Sequence, residues 1–388
     1  PKGRKQKTTS LYDRFIEKGA VMGDSFGLEH VLWFSKNKDD AYEDPTFKRS
    51  RAHEYIAQEV KAVRTKVGCS EIANFAKHEI SGNGARDFLN YILAGNIPKK
   101  GRLSLSPLLS PKGRLIGDLT VACIDEQRFI LFGSGAMQEY HRRWFESFLP
   151  KKDVIYKNCS DNLHGLAISG PNSRNLLEKI CRENVSNESF KFRDIKEMYI
   201  AGVPCILSRL SFTGELGYEI YTAPQFQIKL FEEIQNFGND LGLSCYGSRA
   251  LMSMRLEKNW GAWTLDYRPD FTAKETGLDI FINWDKEFIG KKYAKEDKSS
   301  NKLTPMVVET NEIDVTYNEA VLKDDKAIGY VTSGGFAHFV NKSVAFSYLD
   351  TNKLNSGKGI QVEINGDLFN CNLIKEPLYD PSGAKMRS

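Results

Sequence analysis

Residues 211–220, SFTGELGYEI, place two glycines and two glutamates within ten positions. The residues that follow, YTAP, continue an apolar pattern that predicts a strand. Gly214 permits a turn between the preceding strand, PCILSRLSF, and this one. A glutamate such as Glu219 is unusual in a core strand, because an ionised carboxylate is costly to bury. Two interpretations stay open: a solvent-facing carboxylate on a hairpin, or a carboxylate that faces a ligand.

The composition is that of a globular protein with more than one domain or lobe. The chain has 388 residues, of which 41% are hydrophobic and 27% are charged. Its net charge of +4 is spread over 54 basic and 50 acidic residues, so we expect no nucleic-acid partner. No apolar run approaches the roughly 20 residues that span a bilayer, so we expect no membrane association.

The cysteines and histidines do not form a recognisable metal or disulfide pattern. The seven cysteines are widely spaced without a CxxC pair, and the six histidines include no HxxxH or HxH motif. We therefore expect no metal site and no disulfide framework, and a reducing compartment. The amino-terminal stretch has no signal-peptide pattern. These features predict a cytoplasmic protein, or a mitochondrial-matrix protein in a eukaryote.

Helical and strand patterns alternate along most of the chain, which predicts a mixed α+β core. The predicted helices include EYIAQEVKAVRTK (54–66), the segment after SGNG (81–84), and QFQIKLFEEIQNFG (225–238). The predicted strands include RFILFG (128–133) and DVIYK (153–157).

The last 90 residues are rich in strands. Asn365-Gly366 lies between two alternating apolar segments, which is a strong hairpin signal. The polar stretch 295–302, KEDKSSNK, is the best linker candidate. We therefore predict three parts: residues 1–45 as an amino-terminal connector or docking segment, 46–300 as a mixed α+β domain, and 303–388 as a small all-β domain.

The 211–220 stretch resembles a signature of the folate-binding aminomethyltransferases, the family of the glycine cleavage T-protein. Other segments resemble the same family in the same order, and the resemblance covers nearly the whole chain. These segments are RLSLSPLLSPKGRLIGDLTV, AISGPNSRNLL, MRLEKNWGAW, ETGLDIFINWDKEFIGKKYA and VTSGGFAHFVNKSVAFSYL. The opening of the chain is most similar to the tetrahydrofolate half of dimethylglycine and sarcosine dehydrogenases.

The resemblance implies three lobes around a central channel, two of them in residues 46–300 and the third a β-barrel domain at 303–388. It implies tetrahydrofolate as the cofactor. It implies an enzyme that captures an iminium or formaldehyde unit from a small methylated amine and forms 5,10-methylenetetrahydrofolate. The sequence has no GxGxxG motif opening a βαβ unit. The oxidising step therefore implies a partner, a flavin-dependent dehydrogenase or oxidase or another demethylating subunit or domain. The alternatives are a demethylase that makes 5-methyltetrahydrofolate, and a non-catalytic folate-binding module.

The resemblance assigns Glu219 to the pterin edge and places Tyr218 beside it. A carboxylate accepts two hydrogen bonds from the N–H edge of a pterin, which specifies that ring. The glycines of the same stretch then allow the backbone to approach a ligand closely.

Asp118 stands in an otherwise apolar strand, GRLIGDLTV, and is the candidate catalytic base. The T-protein carries two successive aspartates here, and this chain has Gly117 at the first position. The loss of the first aspartate argues against T-protein-like chemistry. It argues less against capture of a carbon unit that is already activated. The alternative for Asp118 is a satisfied carboxylate at a strand end.

The resemblance implies further folate contacts, each of which has a structural alternative. Arg255 and Glu257 stand two apart on a predicted helix, so they point to different sides, and a buried salt bridge is the alternative for Glu257. Core packing is the alternative for the apolar and tryptophan side chains. We interpret His338 as a loop residue rather than a base. The remaining predicted contacts are Leu108, Leu109, Trp263, Tyr267 and Glu275.

The aromatic stretch GLEHVLWF (27–34) lies inside the predicted amino-terminal segment. It is interpreted either as a docking surface for a partner domain or as a segment that folds back on its own core.

Overall fold

The computed structural model describes residues 3–354 and 359–388, so small parts of the predicted connector and barrel lie outside the described residues. Helices and strands alternate up to residue 300, and strands predominate after it. The strands are β1 Ala20–Ser25, β2 Leu28–Phe34, β3 Val67–Glu71, β4 Ala76–Ser81, β5 Arg102–Leu109, β6 Leu115–Asp125, β7 Arg128–Gly133, β8 Ile155–Asn158, β9 His164–Ser169, β10 Ile195–Ile200, β11 Val203–Ser208, β12 Gly217–Thr222, β13 Leu243–Cys245, β14 Asn301–Val308, β15 Ala320–Lys323, β16 Lys326–Ala337, β17 Lys342–Asp350, β18 Ile360–Ile364 and β19 Asp367–Leu373. The helices are α1 Tyr12–Glu17, α2 Ala52–Thr65, α3 Ala85–Ile92, α4 Gln138–Phe148, α5 Ser173–Ile180, α6 Pro224–Gly238, α7 Ser248–Glu257, α8 Ala273–Thr276, α9 Lys291–Lys295 and α10 Ala384–Arg387.

The first sheet has the strand order β5-β6-β7-β4-β8 and is antiparallel throughout. Alternate residues of β6 and β7 point outward and pack against α3 and α4. This outer core contains Leu119 and Leu131 of the sheet, Leu89 of α3 and Phe145 of α4, all fully buried. Because side chains alternate along a strand, the remaining residues of β6 face the opposite, inner side.

The second sheet has the order β10-β11-β12-β9-β3-β13, and only the β3–β13 pairing is parallel among the described strands. Helices α5 and α6 cover its outer face. Leu177 of α5 and Leu230 of α6 pack there with Ile168 and Ile220 of the strands.

The inner faces of the two sheets pack against each other. Ala122 and Phe132 of the first sheet share an apolar cluster with Ala167, Ile206 and Tyr221 of the second. The rings of Phe132 and Tyr221 stack with centroids 4.6 Å apart. Polar residues on these two inner faces are therefore held opposite one another, which is the geometry that builds the site described below.

The carboxyl-terminal strands close into a barrel of order β14-β17-β16-β15-β18-β19. The predicted hairpin at Asn365-Gly366 is confirmed: both residues have positive φ, 52° and 92°, and Ile364 pairs with Asp367 across the turn. The mixed helix-and-sheet fold with a carboxyl-terminal barrel is likewise as predicted.

The amino-terminal segment packs on the chain's own core. Phe15 of α1 is buried and contacts Phe231 of α6, with ring centroids 5.4 Å apart. Trp33 of β2 is fully buried, and its indole N–H donates to Glu43 Oε1 at 2.6 Å. Because its side chain is buried, Trp33 is not available for contact with a partner domain.

A buried arginine ties the 211–220 stretch to three other parts of the fold. Arg64, at the end of α2, donates to Glu257 Oε2 of α7 at 2.6 Å and to Glu215 Oε1 at 3.1 Å. It also donates to the carbonyl of Thr213 at 2.7 Å, and its guanidinium stacks on Tyr379, whose hydroxyl donates to Glu215. One of the two glutamates in the quoted stretch is thus an ion-pair partner inside the core.

Arg64→Leu should destabilise the protein by about 3–5 kcal/mol, because it leaves Glu215 and Glu257 buried without a counter-ion. Urea unfolding followed by circular dichroism measures this loss. Arg142→Leu is the control, since Arg142 pairs with carboxylates on an exposed helix surface and should leave the midpoint nearly unchanged. An Arg64→Leu protein within about 1 kcal/mol of the native stability would contradict the assigned role.

Candidate active site between the two sheets

The loop before β12 is shaped by its two glycines. Gly214 has φ +83°, and a Cβ there would lie 2.5 Å from the side chain of Lys258. A Cβ on Gly217 would lie 2.5 Å from Ser211 Cβ. Neither position accepts a larger residue without displacement, so the glycines fix where β12 begins.

Glu219 lies on the inner face of β12, in register with Ala167 of β9 and Ser208 of β11. The hydroxyl of Tyr221 donates to Glu219 Oε2 at 2.7 Å, which leaves Oε1 for a further donor. Burial raises the pKa of Glu219 to about 7, while Tyr221, Lys77 and Ser208 act in the opposite direction. The carboxylate keeps partial access to solvent.

Tyr218 points to the outer face of the same strand. Its side chain is fully buried in the core beneath α5 and α6, with its ring stacked 6.3 Å from that of Phe190. The structure therefore does not bring Tyr218 to the side of the sheet that Glu219 occupies, because successive residues of a strand face opposite ways.

Asp118 lies on the inner face of β6, opposite Pro107 of β5 and on the same side as Ala122. It is partly accessible. Burial raises its pKa to about 7, and within the described residues only its own backbone N–H opposes that shift. Tyr267 lies near it: burial raises the pKa of Tyr267, and the Asp118 charge raises it further. A carboxylate with so few partners is available to a ligand or a proton.

Gly117 faces the outer side of β6. A Cβ there would lie 2.8 Å from His141 Nε2 and 3.3 Å from Leu108 Cβ. His141 of α4 fills this place, and its Nε2 bonds the carbonyl of Ile116 at 2.8 Å. Because position 117 points away from Glu219, an acid there would not face the space between the sheets in this chain. The single acid at position 118 is the one that does.

Leu108 and Leu109 are both fully buried. Leu108 packs in the outer core with α3, whereas Leu109 packs with Tyr267, Ala273 and Leu278 in a separate cluster. Within these clusters both leucines support β5, and Leu108 points away from the inner face.

Arg255 and Glu257 point to different sides of α7, as predicted. Arg255 Nη1 donates to Asp266 Oδ2 at 2.8 Å and to the carbonyl of Trp260 at 3.0 Å. Asp266 Oδ1 also accepts from Thr332 of the barrel at 2.6 Å. Arg255 is only 1% exposed, so it joins α7 to the barrel through Asp266 rather than presenting a free guanidinium.

Tyr267 lies near Asp118, and Trp263 packs in the same apolar cluster as Tyr267. Residues 263 and 267 form a bridge in the loop after α7, and the half-buried Trp263 ring lies 6.4 Å from that of His141. The Tyr267 ring covers Gly261, where a Cβ would lie 2.5 Å from it. Of the two side chains, Tyr267 is the one that interacts with the Asp118 charge.

Glu275 is engaged in a helix cap. Its Oε2 accepts from the N–H of Thr272 at 2.8 Å, and Thr272 Oγ1 accepts from the N–H of Glu275 at 3.2 Å. Its Oε1 accepts from Ser299 at 2.6 Å. Both carboxylate oxygens are occupied, so Glu275 holds α8 to the segment before the barrel.

His338, interpreted as a loop residue, lies at the carboxyl end of β16. Its ring packs 4.5 Å from that of His53 of α2, and burial lowers its pKa to about 3. Among residues 3–354 and 359–388, no helix is both long and apolar enough to cross a bilayer. The same residues contain no group of three or more His, Cys, Asp or Glu side chains arranged to hold a metal ion.

The comparisons with known proteins agree with this architecture. The model of the GCVT N-terminal domain matches residues 11–286, and that of the glycine cleavage T-protein C-terminal barrel domain matches residues 301–380. The chain belongs to the aminomethyltransferase family. Members of this family are folate-dependent transferases that bind tetrahydrofolate.

Relatives fall into two groups by length. The human mitochondrial dimethylglycine dehydrogenase is 32% identical over 380 residues, which are 96% of this chain and 44% of that protein. The aminomethyltransferase of Halothermothrix orenii is 29% identical over 328 residues, which are 83% of this chain and 91% of that protein. The chain thus spans less than half of the dehydrogenase that it matches.

Among solved structures, the aminomethyltransferase T of the glycine cleavage system from Bartonella henselae has the same fold. The two superpose with a TM-score of 0.83 over 97% of this chain and 99% of that chain, at 21% sequence identity.

Gly117→Ala should destabilise the protein by about 1–3 kcal/mol, because the added methyl group meets the His141 ring. The same substitution made in a His141→Ala background should cost at least about 1 kcal/mol less, since the ring is gone. Urea unfolding of the four proteins of this cycle measures the coupling. Equal costs in both backgrounds would show that His141 does not constrain position 117.

Proposed function

We propose that the chain is a tetrahydrofolate-dependent one-carbon transferase that captures an iminium or formaldehyde unit and forms 5,10-methylenetetrahydrofolate. The observation that carries this proposal is the pair of partly accessible acids, Glu219 and Asp118, on the facing inner surfaces of the two sheets. Both are under-partnered, and burial raises the pKa of each to about 7. Buried acids of this kind cluster at functional sites.

Glu219 suits the edge of a pterin. One carboxylate oxygen is oriented by the Tyr221 hydroxyl, and the other is free to accept from a ligand N–H. Tyr221 is itself stacked on Phe132 of the opposite sheet, so the carboxylate is held in place before a ligand arrives. When bound, tetrahydrofolate supplies the nitrogen atoms that take up the one-carbon unit.

Asp118 is proposed as the group that holds or accepts a proton during transfer. Its pKa of about 7 places it near the pH at which a general base is most effective. Trp263 and Tyr267 are proposed to border the bound ligand at this end and to exclude water. A dry, rigid setting would limit escape of a reactive carbon unit.

The other predicted contacts are proposed to act indirectly. Arg255 would position α7 and the barrel, Leu108 and Leu109 would support β5, and Glu275 would hold α8. Tyr218 would anchor β12 from its outer face.

The source of the carbon unit is proposed from the relatives. Human dimethylglycine dehydrogenase and the formaldehyde-forming 4-methylaminobutanoate oxidase of Paenarthrobacter nicotinovorans, the latter 27% identical, both cover at least 96% of this chain, which spans only 44% and 47% of them. Their names describe oxidation of N-methyl amines. We infer that a flavin-dependent domain or subunit oxidises a small methylated amine, such as dimethylglycine or sarcosine, and delivers the product to this chain.

Glu219→Gln should weaken the binding of tetrahydrofolate by about 10- to 100-fold, because the charge-assisted hydrogen bonding to the carboxylate is lost. Anaerobic calorimetric titration measures the affinity. Tyr218→Phe is the matched control: it alters the neighbouring residue on the outer face and should leave the affinity unchanged. Equal affinities of the native and Glu219→Gln proteins would remove Glu219 from the site.

Asp118→Asn should lower the rate of 5,10-methylenetetrahydrofolate formation by about 10²- to 10⁴-fold and leave folate affinity within a few-fold. At saturating folate the native rate should rise with pH through about 7 as Asp118 ionises, and the variant should lack that rise. The assay follows product formed from formaldehyde above the uncatalysed background.

Mass spectrometry of the product tests the reaction type. The methylene product supports the proposal, whereas 5-methyltetrahydrofolate formed from a methylated substrate would identify a direct demethylase. Folate binding without either product would indicate a non-catalytic folate-binding module.

A further inference from the structure

Lys77 is a fully buried lysine on β4, at the inner face of the first sheet. Its ammonium donates to the carbonyl of Ala73 at 2.9 Å and lies 3.5 Å from that of Ile72. Within residues 3–354 and 359–388, no carboxylate oxygen lies within 4.0 Å of it. A buried ammonium that bonds only neutral carbonyls needs negative charge nearby to remain protonated.

The strand pairings place Lys77 next to Phe132, whose ring stacks on Tyr221, the hydrogen-bond donor to Glu219. Lys77 pairs with Phe132 of β7, so the two side chains share the inner face. The Phe132 ring stacks on Tyr221 across the gap between the sheets, and the Tyr221 hydroxyl bonds Glu219. Lys77 thus lies beside the stacked Phe132 and Tyr221 rings, and Tyr221 holds the Glu219 carboxylate by a hydrogen bond.

The charges around Lys77 and Glu219 come from several elements. Glu71 of β3, Glu219 and Asp161 favour the charged form of Lys77, and Lys7 opposes it. Burial is the largest effect and lowers the pKa of Lys77 to about 7.

Glu71 is half-buried, and its Oε1 accepts from the side-chain amide of Gln227 at 2.6 Å. Around Glu219 itself, Lys77 is the nearby cation, and Tyr221 and Tyr246 are the nearby phenols.

We propose that Lys77 is a positioning residue whose buried ammonium favours the ionised form of Glu219, the form that accepts hydrogen bonds from a ligand. The role of Lys77 in ligand binding rests on the function proposed above. The coupling between the Lys77 and Glu219 charges does not depend on that function.

A neutral residue at position 77 removes the cation that favours the Glu219 carboxylate. The Glu219 pKa then rises, and a protonated Glu219 offers one acceptor fewer to an N–H edge. Affinity for a folate is lost at neutral pH and regained at higher pH. A lysine that merely held the carbonyls of the 72–73 segment would lower stability without moving this titration.

The coupling is tested by carbon-13 NMR of protein labelled at the glutamate carboxyl carbon. The Glu219 resonance is identified by its absence in Glu219→Gln. In Lys77→Gln, whose amide still donates to a carbonyl, the Glu219 midpoint should rise by about one pH unit or more. Lys77→Met serves if the glutamine variant does not fold.

Lys286→Gln is the matched control. Lys286 also donates to two backbone carbonyls, those of Asn90 and Leu93, but it lies outside both sheets and is not among the groups that shift the Glu219 pKa. Its loss should leave the Glu219 midpoint in place. A Lys77 variant whose midpoint stays within about 0.3 pH unit of the native value would overturn the inference.

Binding of 5-formyltetrahydrofolate between pH 6 and 9 gives the second readout. The native affinity should rise with pH through about 7, and the Lys77→Gln curve should be displaced to higher pH. A uniform loss at every pH would assign Lys77 a structural role only and would overturn the inference. If the native chain binds no folate, the proposed function fails, and the carboxyl titration still decides the coupling.

Discussion

The buried pairing of Arg64 with Glu215 and Glu257 is the constraint on which the site depends. It joins the end of α2, the loop before β12, helix α7 and the carboxyl-terminal segment that carries Tyr379. Two carboxylates and one guanidinium are kept from water there, so removal of Arg64 leaves both carboxylates without their counter-ion. The ion pairs fix the position of this loop. Glu219, four residues after Glu215, therefore lies on the inner face of the sheet.

The alternation of side chains along strands then decides which residues can act together. On β12 it sends Glu219 inward and Tyr218 into the outer core, and on β6 it sends Asp118 inward and Gly117 against His141. Since only one of two successive positions can face the opposite sheet, a single acid on β6 is sufficient for a site between the sheets. The proposed chemistry of Asp118 and Glu219 follows from their partial burial, which raises the pKa of each carboxyl group towards 7.

Local patterns predicted the local structure well: helix α6 and the hairpin at Asn365-Gly366 follow from spacing and turn chemistry. The roles of the two glutamates in 211–220 could not be separated in the same way. Glu215 is distinguished from Glu219 by its contacts with Arg64 and Tyr379, which are 151 and 164 residues distant in sequence. Lys77 was also missed, because a lysine in a short strand is usually exposed; its place in the alternating segment AKHEIS was the available signal.

The central proposal is a ligand held between the two sheets with its N–H edge against Glu219. A crystal structure of the chain with 5-formyltetrahydrofolate tests this most directly. We expect a pterin whose donors lie within hydrogen-bonding distance of the Glu219 carboxylate, on the side of β12 that bears Tyr221 and faces Asp118. A pterin bound elsewhere on the protein, with the space between the sheets empty, would contradict it.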